Sequence, residues 1–155
     1  MTLMSPFGLL PLVLYAMFQG FVPPLLEGDI LNAVEKAQLG RAQKVDDRIK
    51  VYQSASSRMQ RSVHAAVSSD DFSGVPEAVK LWVSLLAGSL EDIDANVQAK
   101  KKSKALIRYE IQVRKTLTEF KGYKAKAPIE QQDEFDAQLA SAEIIRKRFV
   151  EIVFR

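Results

Sequence analysis

The sequence has 155 residues, of which 47% are hydrophobic and 26% charged, a composition typical of one globular domain and not of a disordered chain. Six prolines and seven glycines are too few for the many turns of a β-sandwich or barrel. The absence of cysteine excludes disulfides, thiolate zinc sites and thiol nucleophiles, and the net charge is a mildly basic +3.

The first 26 residues form a hydrophobic segment. No charged side chain precedes Glu27, and residues 6–26 would span about 30 Å as a helix, close to the thickness of a bilayer core. Three interpretations remain open for residues 1–26: a signal peptide, a retained membrane anchor, or a buried helix of a soluble domain. Prolines inside the segment would break a buried helix (Pro11, Pro23, Pro24). We therefore predict a periplasmic, secreted or membrane-anchored protein with a folded domain over residues 28–155.

A heptad-like repeat of apolar and small side chains begins at residue 42. Its spacings alternate between three and four over more than three heptads, which is typical of a coiled-coil helix. The repeat consists of Ala42, Val45, Ile49, Tyr52, Ser56, Met59, Val63 and Ala66. No proline occurs over residues 28–68, so we predict one uninterrupted helix there, ending at the turn-forming residues that follow.

A second apolar stripe extends over residues 75–122 and has a lysine-rich interruption at residues 98–105. Before the interruption it consists of Val79, Trp82, Leu86, Leu90, Ile93 and Val97, and after it of Leu106, Tyr109, Val113, Leu117 and Phe120. We predict one helix over residues 75–122, because nearly every residue of the interruption is a good helix former. The alternative is a break at residues 99–104, which would give two shorter helices.

A third helix is predicted over residues 128–155. Acidic residues crowd its start and basic residues its end, as the helix macrodipole favours. Its apolar face consists of Phe135, Leu139, Ala142, Ile145, Phe149 and Ile152. The predicted fold class is therefore all-α: long antiparallel helices in a three-helix bundle or coiled-coil-like hairpin, with a separate hydrophobic N-terminal segment.

The start of the second helix has more apolar surface than such a bundle can cover. The third helix, folding back from residue 128, reaches only about as far as Val97, which leaves four large side chains with too few neighbours. They are Trp82, Leu85, Leu86 and Leu90. We expect the N-terminal segment or a second copy of the chain to cover them, and we predict self-association as a homodimer through these residues.

The sequence has no recognisable active site. His64 is the only histidine, and no partner for general-base catalysis can be named. Glu91, Asp92 and Asp94 flank a residue of the apolar stripe and are interpreted as a solvated face, while the acids at residues 130–136 compensate a helix dipole. We expect no enzyme activity, no catalytic residue, no cofactor and no metal ligand.

A strongly basic run extends from Gln98 to Lys126. It holds ten basic and two acidic side chains, a local net charge of +8. Its first five bases are the candidate residues for binding an anionic partner: Lys100, Lys101, Lys102, Lys104 and Arg108. Tyr109, Phe120 and Tyr123 interleave the bases. Tyr109 and Phe120 belong to the apolar stripe, so we interpret them as core residues and not as platforms on which nucleobases stack.

These features favour a non-enzymatic interaction or scaffold protein. The chain would be exported or tethered by its N-terminus, and its helices would present a basic surface to a protein or an anionic membrane surface. The alternative is a cytoplasmic basic coiled-coil protein that binds nucleic acid, which we rank second. The sequence identifies no small-molecule substrate.

Overall fold

The computed structural model describes residues 30–98 and 101–155. These residues form five α-helices and no strand, which confirms the all-α prediction. The helices are α1 (Ala33–Arg41), α2 (Val45–Ser68), α3 (Val75–Asn96), α4 (Lys104–Lys124) and α5 (Ile129–Val153). The predicted signal peptide or membrane anchor at residues 1–26 lies outside the described residues, and so does Lys100.

The four longer helices form a bundle of two antiparallel hairpins. In the first hairpin, Arg48 near the start of α2 pairs with Asp92 near the end of α3 at 2.7 Å. In the second hairpin, Lys124 at the end of α4 pairs with Asp136 near the start of α5 at 2.5 Å. Short connections between the helices of each hairpin account for this antiparallel arrangement.

The two hairpins pack side by side, with α2 parallel to α4. The Ser103 hydroxyl donates to Asp46 at 2.7 Å at one end, and the Gln60 amide donates to Glu119 at 2.5 Å toward the other. Contacts at both ends likewise place α5 parallel to α3. The backbones of α3 and α4 do not approach each other, so these two helices occupy opposite corners of the bundle.

The core consists largely of the predicted apolar stripes. All five residues of the stripe on α4 are buried, and the helices at opposite corners meet through their side chains. The rings of Trp82 and Phe120 pack edge to face with centroids 5.0 Å apart, and the Tyr109 hydroxyl lies 3.0 Å from the Ser89 hydroxyl. Burial of each large apolar side chain contributes roughly 1.5–3 kcal/mol, so this layer stabilises the whole bundle.

The prediction of one helix over residues 28–68 is wrong, because the chain leaves the helix at residues 42–44. The carbonyl oxygens of Leu39 and Ala42 accept hydrogen bonds from the buried Arg48 guanidinium at 3.2 and 3.3 Å. The break lets α1 fold back along α2 and bury Leu31 and Leu39. A straight helix would have carried both side chains beyond the end of the bundle into water, at a cost of lost hydrophobic burial.

The prediction of one helix over residues 75–122 is also wrong, and the alternative with a break is confirmed. Helix α3 ends at Asn96, and Val97 takes an extended conformation with ψ of 132°. The Ser103 hydroxyl then accepts the Leu106 amide at 3.0 Å and caps the start of α4. The third predicted helix, over residues 128–155, corresponds to α5. The chain therefore contains four bundle helices where three were predicted.

The packing argument for a homodimer is wrong. Trp82, Leu85 and Leu86 are fully buried within one chain, and Leu90 is half-buried. Because the chain breaks after Asn96, the α4–α5 hairpin folds back and α5 covers the side of α3 that α2 leaves open. These side chains are therefore not available to a second copy unless the bundle opens, and whether the chain forms a homodimer stays untested.

In the described ranges, no helix combines the length and the apolar character needed to cross a membrane.

Candidate anion-binding surface

Basic side chains collect at the end of the bundle where α2 and α4 begin, which we call the basic end. Lys101 and Lys102 lie in the connection before α4, and Lys104 and Arg108 lie in its first two turns. All four side chains are exposed. The structure thus brings together the four described candidates for binding an anionic partner, and only Lys100 falls outside the described residues.

These four bases are not neutralised by nearby acids. Within the described ranges, no ion pair is formed by Lys101, Lys102, Lys104 or Arg108. The Lys102 ammonium instead lies 5.5 Å from the centre of the exposed Phe154 ring, a cation–π contact at the end of α5. Their positive charges are therefore free to act on a ligand or partner.

The basic end extends from α4 onto α2. Pairing with Asp47 raises the pKa of Lys50, while the nearby positive charge of Arg108 acts in the opposite direction. Two like charges on neighbouring helices repel unless an anion or salt lies between them. Arg108 at the start of α4 thus lies close enough to Lys50 of α2 for their charges to interact, beside the acids Asp46 and Asp47.

Two bases farther along α4 have an acidic side chain within 4 Å. Lys124 pairs with Asp136 at 2.5 Å, and Arg114 lies 3.9 Å from Glu110. Asp136, near the start of α5, thus compensates one charge at the end of α4. The acids at the start of α5 do not reach the start of α4, because α5 is antiparallel to it.

An open cleft of about 380 Å³ indents the basic end. It lies between the α1–α2 connection and the α3–α4 connection, and its charged lining residues are Lys44, Asp46, Lys101 and Lys102. The remaining lining residues are three amides, a hydroxyl and two valines: Gln43, Asn96, Gln98, Ser103, Val45 and Val97. Sequence reasoning missed this cleft because both connections were predicted to be helical.

Beneath the cleft lies a buried polar network centred on Asp92. Its carboxylate accepts hydrogen bonds from Arg48 Nε at 2.7 Å, from the Tyr52 hydroxyl, and from Asn96 Nδ2 at 2.9 Å. Burial tends to lower the pKa of Arg48, but the hydrogen bond and charge of Asp92 outweigh burial and raise it. The prediction that Asp92 belongs to a solvated face is therefore wrong, and its role is to fix the ends of three helices.

His64 lies far from the basic end, on the exposed side where α2 meets α4. Its Nδ1 atom is 3.1 Å from Glu119 Oε1 and 2.5 Å from the Tyr123 hydroxyl. Partial burial raises the pKa of Tyr123 to about 12, as does its hydrogen bond to Glu119. The cluster gives His64 the partners that the sequence could not name, and because its hydrogen bonds join α2 to α4, we interpret it as a link between two helices.

No cluster of three or more histidine, aspartate or glutamate side chains in the described part of the chain could hold a metal ion. Comparison of the chain with known protein families, with curated proteins and with solved structures finds no match. The function must therefore be argued from the residues and their geometry.

Proposed function

We propose that this protein is a non-enzymatic helical interaction protein, exported or tethered by its N-terminus, whose basic end binds an anionic partner. The observation that carries the proposal is the set of four exposed bases at the start of α4, which have no acidic partner in the described ranges. Uncompensated charge of one sign attracts a surface of the other sign over a distance of about 8–10 Å in physiological salt.

An anionic membrane surface or an acidic protein suits this arrangement better than nucleic acid does. Proteins that bind single-stranded nucleic acid combine bases with exposed aromatic rings on which nucleobases stack. Of the three aromatic residues within the basic run, Tyr109 and Phe120 are fully buried, and Tyr123 lies at the other end of α4. Phe154, next to Lys102, gives the described part of the basic end one exposed ring and not a row of rings. The hydrophobic character of residues 6–26 adds support for a position at or beyond a membrane.

The proposal is tested with two charge-reversal variants of the full chain, kept in a neutral detergent because of its hydrophobic segment. The first variant changes Lys101, Lys102 and Lys104 to Glu. The matched control changes the same number of exposed lysines away from the basic end: Lys80, Lys115 and Lys126. Both variants have the same net charge, so a difference between them reports position and not total charge.

Binding is measured by co-sedimentation with phosphatidylcholine vesicles that contain phosphatidylglycerol, at low and at high salt. We expect the basic-end variant to lose most of its vesicle binding and the control to keep most of it. Vesicle binding of the parent chain, and hence the difference between the two variants, should be smaller at high salt. Equal losses in the two variants would show that only net charge matters and would overturn the proposal. Retained vesicle binding in the basic-end variant, with loss of binding to single-stranded DNA, would favour the nucleic-acid alternative.

A further inference from the structure

The basic end contains a concave site as well as a charged surface. The cleft of about 380 Å³ falls in the range of volume, roughly 300–1,000 Å³, that small-molecule sites occupy. Two separate connections, before α2 and before α4, supply its lysines. We propose that this cleft binds the phosphate group of a sugar or polyol phosphate, either as a free molecule or as a lipid head group. The inference rests on the proposed function and names the chemistry of the anion.

Three lysines in the lining of one cleft favour phosphate over carboxylate as its ligand. Lys44, Lys101 and Lys102 line the cleft from both connections, and in the described ranges none of them forms an ion pair. A phosphate monoester carries a charge of about −1.5 to −2 at neutral pH and offers three acceptor oxygens, whereas a carboxylate carries a single charge. Lysine is a common phosphate ligand, acting as a point charge with several donors.

The rest of the wall suits hydroxyl groups. The cleft is larger than a phosphate group, and the side chains of Gln43, Asn96 and Gln98 add amide donors and acceptors to it. Asn96 Nδ2 is already occupied by the main-chain and side-chain oxygens of Asp92, at 2.7 and 2.9 Å, which leaves its carbonyl oxygen as an acceptor. Hydroxyls of a sugar or polyol both donate and accept, so they can use these groups.

The walls of the cleft are held in place before any ligand arrives. The Ser103 hydroxyl joins the start of α4 to Asp46 at 2.7 Å, and Asn96 is fixed by the buried Asp92. A site whose groups are already positioned loses less conformational entropy when a ligand binds.

Asp46 is the one lining residue that opposes an anion. Its carboxylate lies in the cleft wall and accepts the hydrogen bond from Ser103. Asp46→Asn keeps an oxygen for that hydrogen bond and removes the negative charge, so it should tighten phosphate binding several-fold. If Asp46 had only a structural role, Asp46→Asn would not tighten phosphate binding. The substitution would then only remove a charge that is favourable in the first turn of α2.

The test is isothermal titration calorimetry of the full chain in neutral detergent with glucose 6-phosphate, and with glucose as the uncharged probe. We expect saturable binding of glucose 6-phosphate and none of glucose. Lys44→Ala and Lys102→Ala should each weaken binding about ten-fold, the effect of losing one charge-assisted hydrogen bond. Lys115→Ala, an exposed lysine outside the cleft, is the control and should have no effect.

A second arm distinguishes the two sources of phosphate. Co-sedimentation with phosphatidylcholine vesicles is measured with and without a phosphoinositide, and glucose 6-phosphate is added as competitor. Preference for phosphoinositide vesicles that is lost in Lys44→Ala assigns the site to a lipid head group, and binding of the free sugar phosphate alone assigns it to a soluble molecule. Either result upholds the phosphate site.

Substitution of Lys44 tests the phosphate site apart from the proposed function, because Lys44 lines the cleft but lies outside the basic run. If neither probe binds in saturable fashion, or if Lys44→Ala and Lys102→Ala bind like the parent chain, the cleft is not a phosphate site. Salt-sensitive vesicle binding that depends on Lys104 would in that case leave the proposed function standing. Conversely, binding of glucose 6-phosphate without any effect of the basic-end variant on vesicle binding would uphold the cleft and overturn the proposed function.

Discussion

At the scale of single residues, the buried carboxylate of Asp92 accepts the hydrogen bonds that hold the helices together at the basic end. It joins Arg48 of α2 to the last turn of α3, and the side chains of the ion pair are only 8% and 5% exposed. A buried charge that loses its partner retains the full cost of desolvation. Stability should therefore be far more sensitive to this pair than to the exposed lysines of the basic end.

We predict that Asp92→Asn lowers the free energy of unfolding by about 3 kcal/mol, because Arg48 is left charged and buried. Urea unfolding followed by circular dichroism measures the loss. The double change Arg48→Met with Asp92→Leu should recover only part of it. It removes the desolvation cost of the charges, but it also removes the hydrogen bonds to the Leu39 and Ala42 carbonyls and from the Tyr52 hydroxyl. A loss of under about 1 kcal/mol for Asp92→Asn, the magnitude of a surface ion pair, would contradict the buried network.

Asp70, in the turn between α2 and α3, gives a second prediction at the scale of single residues. Asp70 has a φ of 57°, and the amides of Asp70 and Asp71 donate to the carbonyls of Val67 and Ala66 at 3.1 and 2.9 Å. This is a Schellman motif with Asp at the left-handed position that glycine prefers. Asp70→Gly should raise the midpoint of thermal unfolding, with a gain of about 1 kcal/mol, while Asp70→Ala should not. Destabilisation by glycine would contradict this turn geometry.

For single residues, the sequence predicted which apolar side chains are buried in the core, but it did not predict which polar side chains are buried. The periodicity that placed Tyr109 and Phe120 on an apolar face predicts burial directly, and both are buried. Asp92 sits beside the same kind of stripe but is buried because Arg48, 44 residues earlier, supplies the compensating charge. Helical spacing along one element carries no information about such a partner on another element.

At the scale of elements, the helix breaks decide the fold. Residues 42–44 contain neither proline nor glycine, and the break there depends on a tertiary contact between Arg48 and the carbonyls at the end of α1. The break before α4 has a local signal in Ser103, the one poor helix former of the lysine-rich stretch. Sequence reasoning could therefore offer the second break as an alternative, but it had no signal for the first one.

The ion pair of Glu35 with Arg58 is one of the contacts that attach α1 to α2, and it gives a pH-dependent prediction. Burial tends to raise the pKa of Glu35, but hydrogen bonds from Arg58 and from the Asn32 amide outweigh burial and lower it. A lowered carboxyl pKa contributes stability that is present above the usual carboxyl range and is lost as the pH falls through the folded-state pKa. Attachment of α1 should thus be firm at neutral pH and weak in acid.

Glu35→Gln isolates the charge, because glutamine preserves the capping box with Asn32. At neutral pH we expect hydrogen exchange of the α1 amides to accelerate, corresponding to roughly 1–2 kcal/mol of local stability, since Arg58 is partly exposed and screened. The difference between variant and parent should shrink as the pH falls below the usual carboxyl range, where Glu35 becomes protonated. A difference that stayed constant with pH would show that the Glu35 charge does not hold α1.

At the scale of the whole molecule, the parallel pairing of the two hairpins determines where charge collects. Since α2 and α4 begin at the same end, the lysines preceding both helices converge there, although Lys44 and Lys101 are far apart in the sequence. The basic run alone predicted Lys101, Lys102, Lys104 and Arg108 as a group. It could not predict that Lys44 joins them, because that depends on the register of α2 against α4.

The claim that the partner contacts the basic end is tested most directly by lysine footprinting. The full chain is methylated with and without phosphatidylglycerol vesicles, and the modification of each lysine is measured by mass spectrometry. We expect protection of Lys44, Lys101, Lys102 and Lys104, and none of Lys80 or Lys126, which are exposed elsewhere on the bundle. Protection of Lys80 and Lys126 in place of the basic-end lysines, with vesicles bound, would contradict the account.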